Sequence, residues 1–325
     1  MAAHRFLPGR RALLGAALTA LAPVPLWASA LSGVTLRAGT FKGEDQLILS
    51  LAGLANTPYT VEYHQFNSGQ LEVEAMNAGA LDFAGWSEIP LAFAAAAGAR
   101  IKVIAVLKGD VNDQVVLVPK NSAITSIADL KGKRVGYVRG TTSHYYLLRM
   151  LWAVGLNFSD IQAINLSPTD GAEAFRAGDL DAWAIYGYAI QFALAEGNAR
   201  VLRTAVGILS GNYLVGAAPA ALADPQQRAA IADYLQRVGK GYAWTEANKP
   251  QWTAALAPVI NVPPSFVQAE FAHESQPYRL VPIDDAAIAS AQLVADTFVK
   301  AGLIAQSVNV APYFDRSLSA AIAAT

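Results

Sequence analysis

Apolar and polar side chains alternate over residues 34–39, Val34-Thr35-Leu36-Arg37-Ala38-Gly39, and the run ends on a glycine before a polar loop. A period of two over this length predicts a strand with one buried face. The apolar-rich stretch 45–54 reads as a helix, and 59–66 alternates again as a second strand. After the turn Asn67-Ser68-Gly69, residues 70–78 place Leu71, Ala75 and Ala78 at helical spacing and stop at Gly79. A short strand at 81–85, an alanine-rich helix at 90–97 opened by Pro90, and a strand at 101–107 continue the series. Repeated strand-helix units with short connections predict an α/β architecture whose strands are covered by helices.

Two extended segments, 113–119 and 211–217, bracket a middle block with the same rhythm. The block contains a helical turn at 127–133, strands at 134–138, 161–166 and 180–185, and helices at 141–154 and 170–177. From residue 224 onward the pattern is mainly helical, with segments at 225–243, 247–258, 263–274 and 284–301. The chain thus reads as two α/β lobes around a cleft. Lobe 1 is discontinuous (31–115 and 216–325), lobe 2 is 116–215, and a two-segment hinge joins them. A single continuous domain is the alternative.

Residues 1–30 break this rhythm. Arg5, Arg10 and Arg11 precede an apolar run over 12–27 that closes on Ala28-Ser29-Ala30, the layout of a cleavable signal peptide with cleavage after Ala30. Pro23 and Pro25 interrupt the run, which is shorter than the roughly 20 apolar residues of a membrane span. Arg10-Arg11 ahead of Ala12-Leu13-Leu14 also resembles a twin-arginine export signal, with Gly9 where a hydroxyl residue normally stands. Export to the periplasm is the expectation.

The whole chain has 24 basic and 25 acidic side chains; without the three leader arginines it has 21 against 25, a formal charge of −4. That balance argues against a nucleic-acid partner, which would need a basic surface. It permits a small anion, which backbone dipoles can hold on a net-negative protein. Cysteine is absent, which removes disulfides, thiolate catalysis and lipid attachment at a cysteine. With four histidines, one of them in the leader, no metal site or cofactor is expected.

Candidate chemistry gathers in loops that follow strands, the usual ligand position in open α/β sheets. In 133–148 a strand runs through Arg139-Gly140 into a helix opened by Thr141, Thr142, Ser143 and His144. The unpaired N–H groups of a first helical turn, with hydroxyls beside them, make an anion cradle; the alternative is that the threonines only cap the helix. Gly85-Trp86-Ser87-Glu88 repeats the construction, with Ser87 as donor and Glu88 as acceptor or solvated carboxylate. Thr40 and Lys42 form a third loop, Lys42 supplying positive charge. Trp183 and Tyr186 offer an aromatic wall, unless alternation buries Trp183 in the core. Asp113 and Asn212 flank the crossings between lobes. An enzyme on this scaffold would rest on His144, but no nucleophile elbow, metal-binding helix or dinucleotide fingerprint accompanies it.

The sequence resembles the periplasmic solute-binding proteins of ABC importers for aliphatic sulfonates, taurine and nitrate, the sulfonate group most closely. The resemblance is carried by 39–43, Phe66-Asn67-Ser68-Gly69 with 71–83, 85–90, Leu117-Val118-Pro119-Lys120 with 127–140, His144-Tyr145, Ser159-Asp160-Ile161, Ala174-Phe175 and 178–185. It implies a type II periplasmic-binding fold, a monomer that closes on a small anionic solute and hands it to a membrane permease. It also implies ligand contacts at the loops of Thr40 to Lys42, Ser87-Glu88 and Thr141 to His144. Where the family commonly has Trp-Asp-Pro, this chain has Tyr186-Gly187-Tyr188, and Trp86 stands where smaller residues are usual. Those rings point to an aromatic or larger organic acid. A related desulfinase branch depends on a cysteine nucleophile that this chain lacks.

Overall fold

A computed structural model describes residues 31–322; the leader, and with it the expected export signal, lies outside the described residues. The chain first lays down four strands: β1 (Thr35–Thr40), β2 (Thr60–Gln65), β3 (Phe83–Ser87) and β4 (Lys102–Lys108). Helices α1 (Asp45–Leu51), α2 (Gly69–Asn77) and α3 (Glu88–Ala96) connect them. It then builds a second sheet from β5 (Gln114–Pro119), β6 (Arg134–Tyr137), β7 (Gln162–Asn165), β8 (Ala182–Tyr186) and β9 (Ala199–Thr204). Within it lie α4 (Thr142–Ala153), α5 (Pro168–Ala177) and α6 (Ala189–Ala195). The chain returns to the first sheet as β10 (Asn212–Ala217), α7 (Pro219–Ala223), α8 (Pro225–Ala247), α9 (Lys249–Ile260), α10 (Pro264–Ala272), β11 (Arg279–Val281), α11 (Asp285–Lys300) and α12 (Ser319–Ile322).

The six-stranded sheet has the order β11-β4-β10-β3-β1-β2, and the five-stranded sheet β7-β6-β8-β5-β9. Each is mixed. β1 pairs parallel with β2 and β3, whereas β10 inserts antiparallel between β3 and β4. In the second sheet, β6 pairs parallel with β7 and β8, and β5 pairs antiparallel with β8 and β9. The two extended segments expected to bracket the middle block are β5 and β10, one in each sheet.

Both sheets use the same device to fasten a helix end to a strand. Arg37 makes backbone and side-chain bonds to Asp82 and reaches the Gly79 carbonyl at 2.7 Å. Arg134 does the same with Asp181 and the Gly178 carbonyl, at 2.8 Å. Each carbonyl belongs to a glycine at positive φ, which ends the preceding helix with no Cβ penalty.

The second sheet is buried on both faces. Val116 and Val118 of β5, with Ala182 and Ala184 of β8, join one apolar cluster; Val115 and Leu117, with Trp183 and Ile185, join another. The alternation is a strand's period of two, with helices covering each face. Trp183, expected as a pocket wall, is 1% exposed and packs on Phe175 at a ring distance of 5.9 Å.

Five elements had no counterpart in the sequence pattern: α6, β9, α7, the three-residue β11 and α12, each short. On α2 the buried face also differs. Leu71 is 47% exposed, and the helix buries Glu72, Val73 and Met76 instead. Packing against β3 turned the helix about one residue from its apolar stripe.

Candidate functional site

A cavity of about 310 Å³ opens where the carboxyl ends of the two sheets face each other. The first sheet contributes Gly39-Thr40-Phe41 after β1, Glu44 and Asp45 at the start of α1, and 67–70 with Glu72 at the start of α2. It also contributes Gly85-Trp86-Ser87 at the end of β3, and Tyr213, Tyr242 and Tyr278. From the other side come Asp113, Gln114, Gly140-Thr141-Thr142, Tyr186 and Gly187.

The walls are built from helix beginnings. α2 opens at Ser68, whose side chain accepts from the Leu71 N–H; α3 opens at Ser87 and α4 at Thr141, neither of which spends its hydroxyl on a cap bond. First-turn N–H groups have no intrahelical partner, and each such terminus carries roughly half a positive charge. Gly140 makes the approach to α4 possible. It sits at φ 73, and a Cβ there would stand 2.9 Å from Gln70 Oε1 across the cavity.

Of the residues picked from sequence, Thr40, Ser87, Asp113, Thr141, Thr142 and Tyr186 line this cavity. Thr142 donates its hydroxyl to Gln114 Oε1 at 2.5 Å, and Thr141 donates to the Val138 carbonyl at 2.8 Å. The other six are placed elsewhere, each for a physical reason. Lys42 lines a smaller neighbouring cavity of about 120 Å³ with Tyr188, Lys249 and Glu270. The Ser143 hydroxyl accepts from the Val138 N–H and bonds Thr141, holding the loop rather than facing the cavity. His144 is 1% exposed among the rings of Tyr137, Phe158 and Phe298, and its Nδ1 accepts from the Gly140 N–H at 3.3 Å. Burial, with Arg139 nearby, pushes its pKa down to about 4, so it is neutral at ordinary pH. Glu88 and Asn212 belong to a buried network. Glu88 accepts from Ser210 at 2.6 Å, Asn212 at 2.8 Å and Ser290 at 2.9 Å, and Asn212 also bonds Lys108. Trp183 lies in the second sheet's core, because strand alternation turns it away from the end of β8 where Tyr186 projects.

The ionisable side chains in the lining are carboxyls and phenols. No Lys, Arg or His is among the lining residues, whereas Glu44, Asp45, Glu72 and Asp113 are. Burial raises all four carboxyls. Glu44 is lifted to about 8, with Asp45 adding to the effect; Asp45 to about 7; and Glu72 to about 9, with Glu44 and Asp45 adding to it. Asp113 is raised by burial and by Asp110. Among the described residues, no group of three or more such side chains is placed to hold a metal ion.

The sequence pattern passed over Glu72, Gln70, Gln114, Tyr242 and Tyr278. The strand-turn-helix at 66–70 was a usable signal for Gln70. Tyr242 and Tyr278 come from the helical C-terminal part, where no local pattern marks a cavity.

A family model described as NMT1/THI5 like matches residues 60–248, more than half of the chain. The aliphatic sulfonates-binding protein of Escherichia coli (strain K12) is 32% identical over 92% of this chain and 95% of its own length. The crystal structure of the periplasmic aliphatic sulphonate binding protein SsuA from Escherichia coli superposes with a TM-score of 0.75 at 30% identity, covering 85% of this chain and 90% of that one. The alkanesulfonate-binding protein SsuA from Xanthomonas axonopodis pv. citri, bound to MOPS, gives 0.77 at 29% identity, covering 87% and 98%. These likenesses extend across both sheets and the loops that enclose the cavity, and they establish that the chain belongs to the NMT1/THI5-like family, among the relatives of the aliphatic sulfonate-binding proteins.

Proposed function

We propose that this protein is the extracytoplasmic solute-binding component of an ABC importer, capturing a sulfonate or related organic anion in the 310 Å³ cavity and delivering it to a membrane permease. The observation that carries this reading is the convergence of the α2, α3 and α4 N-termini on one cavity lined by both sheets. Such an arrangement receives an oxyanion on oriented N–H groups and hydroxyls without a lysine or arginine. The close kinship to sulfonate-binding proteins supports the choice of anion. Phe41, Tyr186 and Tyr213 supply apolar walls for the organic tail, while the Trp86 ring packs in the first sheet's core at 2% exposure.

In this reading the lobes follow the two sheets, 31–108 with 212 onward and 114–204, a few residues off the expected boundaries at 115 and 215 because β5 and β10 each pair whole within one sheet, and the protein works as a freely diffusing periplasmic monomer once residues 1–30 are removed. The enzymatic alternative loses its support, since His144 does not reach the cavity. Calorimetry against alkanesulfonates, arylsulfonates, sulfate esters and carboxylates tests the proposal. Micromolar or tighter binding of a sulfonate is expected, and no binding across the panel overturns it.

A further inference from the structure

Glu88 does not line the cavity, although Ser87 before it does, and its backbone opens α3. Its side chain is buried. Oε2 accepts from the Ser210 hydroxyl at 2.6 Å and the Ser290 hydroxyl at 2.9 Å, and Oε1 from the Asn212 amide at 2.8 Å. Burying a carboxylate is costly, and a well-packed apolar side chain in its place is often as stable. What an apolar side chain cannot do is tie these particular segments together.

Each partner belongs to a different segment. Ser210 ends the second passage of the chain between the sheets, residues 205–211, and its Oγ also accepts from the Asn212 N–H at 3.0 Å. Just ahead of it, Ile208 and Leu209 pack on apolar clusters of both sheets. Asn212 opens β10 and accepts from Lys108, the last residue of β4 before the first passage. Lys108 is the basic group that acts on Glu88. Ser290 lies on α11, whose Phe298 meets the rings of His144 and Tyr145 on α4. One carboxylate thus joins a cavity-facing helix end to both passages and to a helix that leans on the other sheet's α4.

Resting on the reading that the cavity is the ligand site, we propose that Glu88 is a positioning residue for solute capture: through Ser210 it fixes the end of the second passage to the N-terminus of α3. Bending is then confined to 205–209, and the α4 N-terminus approaches α3 in one register. Without the tie the sheets still fold, but the donors of the two helix ends meet the solute misaligned.

Ser210→Ala and Ser290→Ala each delete one bond to the same oxygen, so together they separate positioning from stability. In calorimetry with ethane- to pentanesulfonate, Ser210→Ala is expected to weaken binding about five- to tenfold, within the range of one hydrogen bond to a charged group, and Ser290→Ala by less than about twofold. Glu88→Ala should lose as much as Ser210→Ala, and adding Ser210→Ala to it should cost nothing more. Glu88→Gln recovers most of the affinity, because its amide keeps an acceptor for Asn212 and turns two N–H donors to the serine hydroxyls. Equal losses in both serine variants, or none in Ser210→Ala, would mean that Glu88 only stabilises the fold. If Glu88→Ala does not fold, the serine pair decides. Hydrogen exchange on the ligand-free chain gives a readout that needs no ligand: Ser210→Ala should speed exchange in α3 as well as over 205–212. Faster exchange confined to 205–212 overturns the tie even where sulfonate binds. Absence of sulfonate binding by the natural chain overturns the reading of the cavity instead, and the exchange pattern then decides whether Glu88 couples α3 to the passage.

Discussion

Glu44, Asp45 and Glu72 hold protons in the folded chain over a pH range where the unfolded chain has released them. Unfolded carboxyls titrate near 4, whereas burial lifts these to about 8, 7 and 9. Between those limits the native state binds more protons, so the stability of the ligand-free protein falls as pH rises. Its melting temperature is expected to drop from pH 6.5 to 9, and the drop should be shallower in Glu72→Gln; parallel melting curves would refute the assignment. His144 works in the opposite sense at lower pH. Its depressed pKa contributes stability at neutral pH that is lost as pH falls from the ordinary histidine value through about 4. Trp183→Ala opens a void in the second sheet's core and should lower unfolding free energy by about 3–5 kcal/mol in urea titration, leaving solute affinity of the folded protein intact. Ser87→Ala instead removes a hydroxyl that lines the cavity and makes no cap bond, and should weaken sulfonate binding by about 1.5–3 kcal/mol. Glu72 was not legible in the sequence because the alanines around it suggested a different buried face. Trp183 was ambiguous because alternation fixes which side a residue faces only once both sheet faces are known to be covered.

At the scale of elements, strand and helix positions were legible wherever periodicity and a stop signal coincided. The expected segments 34–39, 59–66 and 101–107 correspond to β1, β2 and β4, and the glycines after α2 and α5 mark their ends. The loops after strands were the right places to look, and the structure puts three of them on one cavity. Which member of each loop faces inward depends on backbone turns that sequence spacing does not encode. At α4, Thr141 and Thr142 point in while Ser143 and His144 turn back to hold Val138 and Gly140. Gly140 governs that turn. Gly140→Ala forces a left-handed conformation costing about 1–2 kcal/mol on a residue with a Cβ, and crowds Gln70. It should lower both the melting temperature and sulfonate affinity, and a mutant that loses stability while keeping affinity would show that the α4 terminus does not hold the ligand.

For the whole molecule, the decisive fact is that no single sheet can complete the cavity. Glu72, Ser87 and Tyr242 come with the six-stranded sheet, and Thr142, Gln114 and Tyr186 with the five-stranded one. The chain passes between the sheets twice, at 109–113 and 205–211, and these crossings are tied together where the Gly109 N–H donates to the Gly211 carbonyl at 2.9 Å. Asp110 anchors them further by accepting from the Ser275 N–H at 2.6 Å. Two thin connections on one side of a cleft resist bending far less than either packed sheet does. A solute touching both sheets therefore favours arrangements in which they approach, because only there are all its contacts made. Saturating sulfonate should shrink the radius of gyration in small-angle scattering and raise the melting temperature, by about 2.7 kcal/mol of stabilisation at a hundred times the dissociation constant. Hydrogen exchange separates this from binding to one wall: closure slows exchange both at the start of α4 and at the start of α3. Protection confined to one of the two, with an unchanged radius, would mean that the ligand sits on one sheet and leaves the cleft open.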